Sequence, residues 1–241
     1  MALSKALTLG RSRRMVATPG ASPVSRRTGS LMAATLAAGH NGRVGSVVVD
    51  LPDGPVRLRP VGPDDVAGIE EGFARLSERS RYLRFFSGVN RLSSHQLRSF
   101  TDIDQVEHVA VAALVPGHPD APDPDDGLGV GVARYAPDRP GETAELAVAV
   151  TDDHHGRGIG TLLVQALARI AAERGLGALT ALTLSENTAM RGVLEHCGAH
   201  TVKRRPDEDF AVVRYELPVG VALERAGPAR RELLDRLLPW P

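Results

Sequence analysis

Residues 152 to 163 read Asp152-Asp153-His154-His155-Gly156-Arg157-Gly158-Ile159-Gly160-Thr161-Leu162-Leu163. The alternate glycines, Gly156, Gly158 and Gly160, remove side chains where the chain turns and let another group come close to the backbone. Leu162, Leu163, Ala166, Leu167 and Ile170 then recur at helical spacing, which predicts a helix from Thr161 to Arg174 stopped by Gly175. The first turn of a helix leaves about four N–H donors without internal partners, and with the helix dipole they form an anion site. The chemistry expected of this loop is to hold a phosphate or diphosphate. Residue types exclude two familiar nucleotide loops. No lysine closes the segment as in a Walker loop, and its G-x-G-x-G spacing is not the G-x-G-x-x-G of a dinucleotide fold. Gly127-Leu128-Gly129-Val130-Gly131 also fails that pattern and predicts a packed strand or bulge.

The elements around the loop follow from periodicity. Strands are expected at Val47–Val49, Val56–Arg59, His108–Val115, Leu128–Tyr135, Thr143–Thr151 and Leu179–Leu184, with a closing hairpin of Thr201–Arg204 and Phe210–Leu217. Asp64 or Asp65 opens a helix carrying Val66, Ile69, Phe73 and Leu76, and a second runs from Ser94 to Phe100. Ser185 caps another that ends at Gly198. Residues 116–127, rich in Pro and Asp, form a loop. The leucines of Pro228–Leu238 mark an amphipathic helix, for packing or for a dimer contact. This order implies an α+β (mixed α/β) class: a mixed sheet flanked by helices. Residues 50–218 form the domain and 219–241 a C-terminal amphipathic helical extension.

The formal net charge is zero, but it is unevenly spread: residues 1–49 hold seven bases and no acid, leaving −7 for the rest. A net acidic body argues against nucleic acid as the main partner. The Arg-, Ser-, Gly- and Ala-rich tail fits three readings: disorder, a targeting segment, or an upstream extension with Met15 or Met32 as the true start. Arginine dominates over Lys5 and Lys203, as in a GC-rich, bacterial coding bias. No apolar run is long enough to span a membrane. The single cysteine, Cys197, excludes a disulfide framework and fits a cytoplasmic location. It occupies a position for a buried apolar residue or a reactive thiol. His154 and His155 lack a third ligand, and His196 and His200 straddle Gly198, so no metal is expected. Tyr82, Phe85 and Phe86 belong to the core or to the substrate side.

His155-Gly156-Arg157-Gly158-Ile159-Gly160 resembles the acyl-CoA loop of the GNAT superfamily of N-acetyltransferases, Q/R-x-x-G-x-G/A. Glu142-Thr143-Ala144-Glu145-Leu146-Ala147-Val148-Ala149-Val150 resembles that family's fourth strand, and Ser185-Glu186-Asn187-Thr188-Ala189-Met190 through Cys197-Gly198 its later N-x-x-A/M…G-F segment. The likeness runs from Val56 to Pro218. The block Ser80–Phe86 resembles GNAT modules grouped with bacterial protein-lysine acetyltransferases. The 49-residue tail is too short for the cyclic-nucleotide or acyl-CoA synthetase domains found beside some such modules. Three positions depart from the pattern: His155 replaces Gln or Arg, Leu194 stands where a tyrosine often serves as general acid, and Ala199 replaces a phenylalanine.

The resemblance implies a mostly antiparallel sheet splayed between two strands, and acetyl transfer from acetyl-CoA to an amine in a ternary complex. The diphosphate would sit on the N–H groups of residues 156–161, with Arg157 adding charge and Thr161 a hydroxyl. The pantetheine amides would pair with Val148, Ala149 and Val150, and a backbone N–H there would polarise the thioester carbonyl. With Leu194 unable to donate a proton, water or another residue would protonate the thiolate, or it would leave with help from backbone and Asn187. Glu145, on the strand face of Thr143 and Ala147, is the expected base, in competition with Glu142 and loop acids. Both Glu145 and Asn187 also have plain structural readings, as a solvent-facing carboxylate and a first-turn helix residue. The acceptor is a protein lysine side chain or a small amine. A non-catalytic acyl-CoA sensor is the reading that Leu194 supports.

Overall fold

The computed structural model describes residues 45–123, 125–139, 143–203, 209 and 211–241, with the side chain of Arg139 excepted. The expectation of a disordered tail over residues 1–49 lies outside the described residues for 1–44 but fails at its end, where Val47–Val49 are strand because they pair with Val56–Leu58. The competing acid Glu142 also lies outside the described residues.

Eight strands form a single sheet in the order β1-β2-β3-β4-β5-β6-β8-β7. They are β1 (Val47–Leu51), β2 (Gly54–Pro60), β3 (Val109–Val115), β4 (Leu128–Arg139), β5 (Thr143–Val150), β6 (Ala178–Leu184), β7 (His200–Thr201) and β8 (Val212–Pro218). Every neighbouring pair is antiparallel except β5 and β6, which are parallel. Helix α4 (Ile159–Glu173) supplies the crossover such a connection needs. The sheet is the mixed, mostly antiparallel one expected. The register between β3 and β4 slips opposite Val130, so the glycine-rich stretch is a bulged strand.

Helices cover both faces. On one lie α1 (Val66–Ala74), α2 (Glu78–Phe85) and α3 (Ser94–Thr101), around a small core of Phe73, Leu76, Phe85, Leu92 and Leu97. On the other, α4 is almost wholly buried and packs against the sheet and against α5 (Thr188–His196), α6 (Val219–Ala226) and α7 (Pro228–Asp235). Three helices begin with side-chain caps: Ser77 for α2, Ser93 with Gln96 for α3, and Asn187 for α5. At the end of α5, Gly198 takes φ +93°, and a Cβ there would come within 2.5 Å of Val221 on α6.

Several boundaries differ from the sequence expectation. Helix α4 starts two residues earlier, at Ile159, because Gly158 makes the turn. Strand β4 runs on to Arg139 through Pro137, where a turn is expected from the Pro and Asp content. The block from Ser80 lies in α2, whose polar faces hide its period and whose C-cap is Phe86, and the helical extension expected at 219–241 is two helices, α6 (Val219–Ala226) and α7, separated by Gly227. The stripe of the last helix is a packing face: Leu234, Leu237 and Trp240 join the main core, and the Trp240 Nε1–H donates to Gln105 Oε1 at 3.0 Å. Arg174 ties the same terminus down, donating to the carbonyls of Gln105 (3.0 Å) and Pro241 (3.1 Å).

Trp240→Ala should lower unfolding stability by about 3–5 kcal/mol, as removal of a buried aromatic does. Urea denaturation of the full chain measures it, and a change within about 0.5 kcal/mol would mean that the terminus only rests on the core.

Candidate functional site

Strands β5 and β6 pair only from Thr143–Leu146 to Ala178–Ala181. Past Leu146 they diverge, while β5 stays bonded to β4 and β6 to β8. The result is a wedge in the middle of the sheet. The Thr151 N–H donates to the Val130 carbonyl on the β4 side at 2.9 Å, so the strand alternation turns the backbone groups of Val148 and Val150 into the wedge. Ala149 pairs with Val132 and turns its own toward β4. Of the three expected pantetheine partners, Val148 and Val150 therefore offer backbone groups and Ala149 only a wall.

The glycine loop closes the wide end of this wedge. Gly156 and Gly158 adopt φ +77° and +81°, and a Cβ on either would meet nothing within 4 Å, so the loop faces open space. Gly158 is the N-cap of α4, no side chain caps the helix, and its first turn holds no acid. The first helical bond runs from the Leu162 N–H to the Gly158 carbonyl, which leaves the preceding amides without helical acceptors. His155 shapes the loop: its Nε2–H donates to the Val150 carbonyl at 2.8 Å. His154 is buried, with Nδ1 3.2 Å from the Thr151 hydroxyl and 3.0 Å from the Asp153 carboxylate. Both rings thus serve the turn, and among the described residues no His, Cys, Asp or Glu cluster could hold a metal.

Wedge and loop together line a cleft of about 780 Å³, within the usual range of ligand sites. Glu145, Val148, Ala149, Val150, His155, Gly156, Gly158, Ile159, Gly160, Thr161 and Asn187 all lie on its wall. Arg157 does not. Its guanidinium turns back to donate to the Asp153 carbonyl at 2.8 Å, so the expected extra charge on the diphosphate is directed elsewhere. Asn187 lines the cleft and also caps α5, accepting from the Met190 N–H at 3.1 Å.

A family model described as an acetyltransferase (GNAT) domain matches residues 56–200. The chain belongs to the GNAT acetyltransferase family. It is 30% identical over 171 residues to acetyltransferase PA5475 of Pseudomonas aeruginosa, covering 70% of this chain and 88% of the relative. It is 32% identical over 185 residues to acetyltransferase Pat of Mycolicibacterium smegmatis, covering 75% of this chain and 50% of that protein. The chain thus spans only half the length of Pat. The crystal structure of the GNAT domain of S. lividans PAT superposes with a TM-score of 0.63 at 32% identity, covering 72% of this chain and 97% of that one. The activity class is therefore acetyl-CoA-dependent N-acetylation.

In this GNAT domain the cleft's other wall is α2, which contributes Leu76 just before it and Arg79, Ser80, Leu83, Arg84 and Phe86. Sequence reasoning singled out this block without its geometry: Phe85 is buried in the small core, Tyr82 is 40% exposed, and Phe86 lines the cleft. Asp152 fastens the helix to the loop by accepting from the Ser77 N–H (3.0 Å), the Ser77 hydroxyl (2.7 Å) and the Ser80 hydroxyl (2.8 Å). Arg79 reaches across the mouth to Glu186 at 2.9 Å. Arg84 sits beside Glu145. Burial pushes its guanidinium down to about 10, repulsion from Arg134 adds to that, and attraction to Glu145 opposes it. Asp209, which sequence reasoning did not single out, also lines the cleft and accepts from the Ala211 N–H at 2.9 Å.

Leu194, at the usual tyrosine position, is wholly buried in the main core. No tyrosine lines the cleft among the described residues. Cys197 is buried too, and burial pushes its thiol up to about 11, which removes the reactive-thiol option.

Asp152 carries a pH prediction. Burial pulls its carboxyl up, but the bonds from Ser77 and Ser80 and the field of His155 outweigh it and hold the group below the ordinary carboxylate range. A depressed acid contributes stability that is full above the unfolded value of about 3.9 and fades as pH falls through the folded value. Asp152→Asn should therefore cost about 1 kcal/mol at pH 7, and wild type and variant should converge below about pH 4. Urea denaturation at pH 7 and pH 3 tests this, and a gap that widens at pH 3 would contradict it.

Proposed function

We propose that this protein transfers the acetyl group of acetyl-CoA to a primary amine by direct attack, with a protein lysine side chain as acceptor. The observation that carries the reading is the wedge: Val148 turns its backbone groups, and Val150 its N–H, into a cleft that ends at an uncapped helix N-terminus, while the Val150 carbonyl is held by His155. The diphosphate lies on the amides of residues 156–161, and the pantetheine arm completes the sheet along Val148 and Val150. A backbone N–H there polarises the thioester carbonyl. Support for a protein acceptor comes from the likeness to Pat and to the S. lividans PAT domain, and from the Ser80–Phe86 block.

At neutral pH the amine arrives as ammonium and must lose a proton before its nitrogen can attack. Glu145 takes that proton, directly or through one water. It stands where β5 leaves β6, at the narrow end of the cleft. Asp152 is already committed to Ser77 and Ser80, which leaves Asp209 as the competing acid among the described cleft residues. The nitrogen forms its bond to the carbonyl carbon, the C–S bond breaks, and the coenzyme A thiolate leaves. With Leu194 at the tyrosine position, a water relays to the thiolate the second proton that the attacking nitrogen sheds as the amide forms. A non-catalytic acyl-CoA sensor is the second reading, and Leu194 is what favours it.

Thiol release from acetyl-CoA with a pool of lysine peptides separates the two. Glu145→Gln should lower kcat by about 10²–10⁴-fold and leave acetyl-CoA affinity unchanged. Binding without turnover on any amine would favour the sensor, and full activity of Glu145→Gln across pH would move the base to another group.

A further inference from the structure

A second cavity, of about 270 Å³, lies behind the cleft, between the α1–α3 layer and the sheet. Leu76 and Arg84 line both spaces and so stand between them. Most of the inner wall is apolar, including Ile69, Phe73, Phe85, Leu92 and Phe100. Two guanidinium groups line this space, close enough for the charge of Arg134 to act on Arg84. Arg84 Cζ lies 5.1 Å from the centre of the Phe85 ring, Arg134 Cζ lies 5.4 Å from the centre of the Phe100 ring, and those two rings are 6.5 Å apart. Two cations are thus stacked on adjoining rings.

Among the described residues neither cation has a carboxylate at ion-pair distance. Among the described residues Arg84 makes no hydrogen bond, and Glu145 attracts it only through space. Arg134 has one polar contact, a 3.4 Å bond to the Ser99 carbonyl. Burial lowers the pKa of both groups. Arg75 lines the same cavity with Nε and Nη1 buried and unpartnered, although Nη2 donates to the Gly129 carbonyl. The acids of the cavity are placed otherwise. Asp65 and Asp126 hold Arg59 at 2.7 and 2.6 Å, and Asp123 accepts from the Asp125 N–H. Asp64 and Glu71 are the remaining ones.

A planar guanidinium pair is complementary to a carboxylate, which it can bind through paired N–H···O bonds. The apolar wall beside it suits a short methylene stem. We propose that Arg84 and Arg134 form a carboxylate subsite next to Glu145, which receives the acid group of one of the two reactants. That group is either the carboxylate of the amine acceptor or the terminal carboxylate of a dicarboxylic acyl thioester. The inference rests on the acyl-transfer reading of the cleft.

Matched pairs test it on the full chain. In the acceptor arm, acetyl-CoA is offered with an α-amino acid and with its decarboxylated amine. In the donor arm, succinyl-CoA and butyryl-CoA are offered with the same lysine peptide. The carboxylated member should win in one arm by about tenfold or more in kcat/KM, and that arm identifies the source. Arg134→Gln should erase the preference with acetyl-CoA affinity unchanged, and Arg134→Lys, which keeps the charge but not the fork, should reduce it. Equal rates in both arms would overturn the subsite, as would a preference that survives both variants. Failure of the wild type to bind acetyl-CoA would be a different result: it would remove the acyl-transfer reading, and the subsite with it.

Discussion

After Leu146, β5 loses its partner on one side. The freed N–H and C=O groups of Val148 and the N–H of Val150 line the cleft, where they must bond water or a bound molecule, so the wedge offers a ready strand edge to an extended ligand. Much of the fold around it follows from keeping that opening. The parallel β5–β6 connection requires a crossover helix, and α4 supplies it. The start of that helix falls at the wide end of the wedge, where Gly158 lets the chain turn and no side chain fills the anion site. One topological choice thus places an extended, amide-lined track and a positive helix end in continuous space, the shape of a pantetheine arm ending in a diphosphate.

Charge is distributed to suit the same division. The loop end carries free amides and little competing acid, since Asp152 and Asp153 are both engaged in bonds that hold the turn. The narrow end carries Glu145 among arginines. Helix α2 connects the two ends. Its first residues are locked to the loop by Asp152, and its later ones bring Arg84 to Glu145. A movement of α2 would therefore be felt both at the glycine loop and at Glu145.

Much of this was legible in the amino-acid order. The glycine spacing and the helix that follows it announced the anion loop, and the resemblance of the flanking segments announced the splayed sheet. The positions of Val148, Val150, Gly158 and Asn187 on one cleft agree with that reading. What was not legible depended on contacts distant in sequence. Arg157 looked available for a phosphate but bonds the Asp153 carbonyl. Ser80–Phe86 has too many charged positions for its helical period to show, yet it forms the second wall. The leucines of the C-terminal helix fit packing and dimerisation alike in sequence, and the burial of Leu234 and Leu237 in the main core shows a packing role. Leu194 was visible as a departure that removes the usual proton donor, and its burial in the core adds that the position does not face the cleft.

Amide hydrogen exchange on the full chain, with and without coenzyme A, reads the wedge directly. The N–H groups of Val148 and Val150 and those of residues 158–161 should gain protection when the ligand binds, while Ala149, already bonded to β4, should change little. If coenzyme A leaves these amides exchanging as before, or protects a different part of the chain, the cleft between β5 and β6 is not where the cofactor lies.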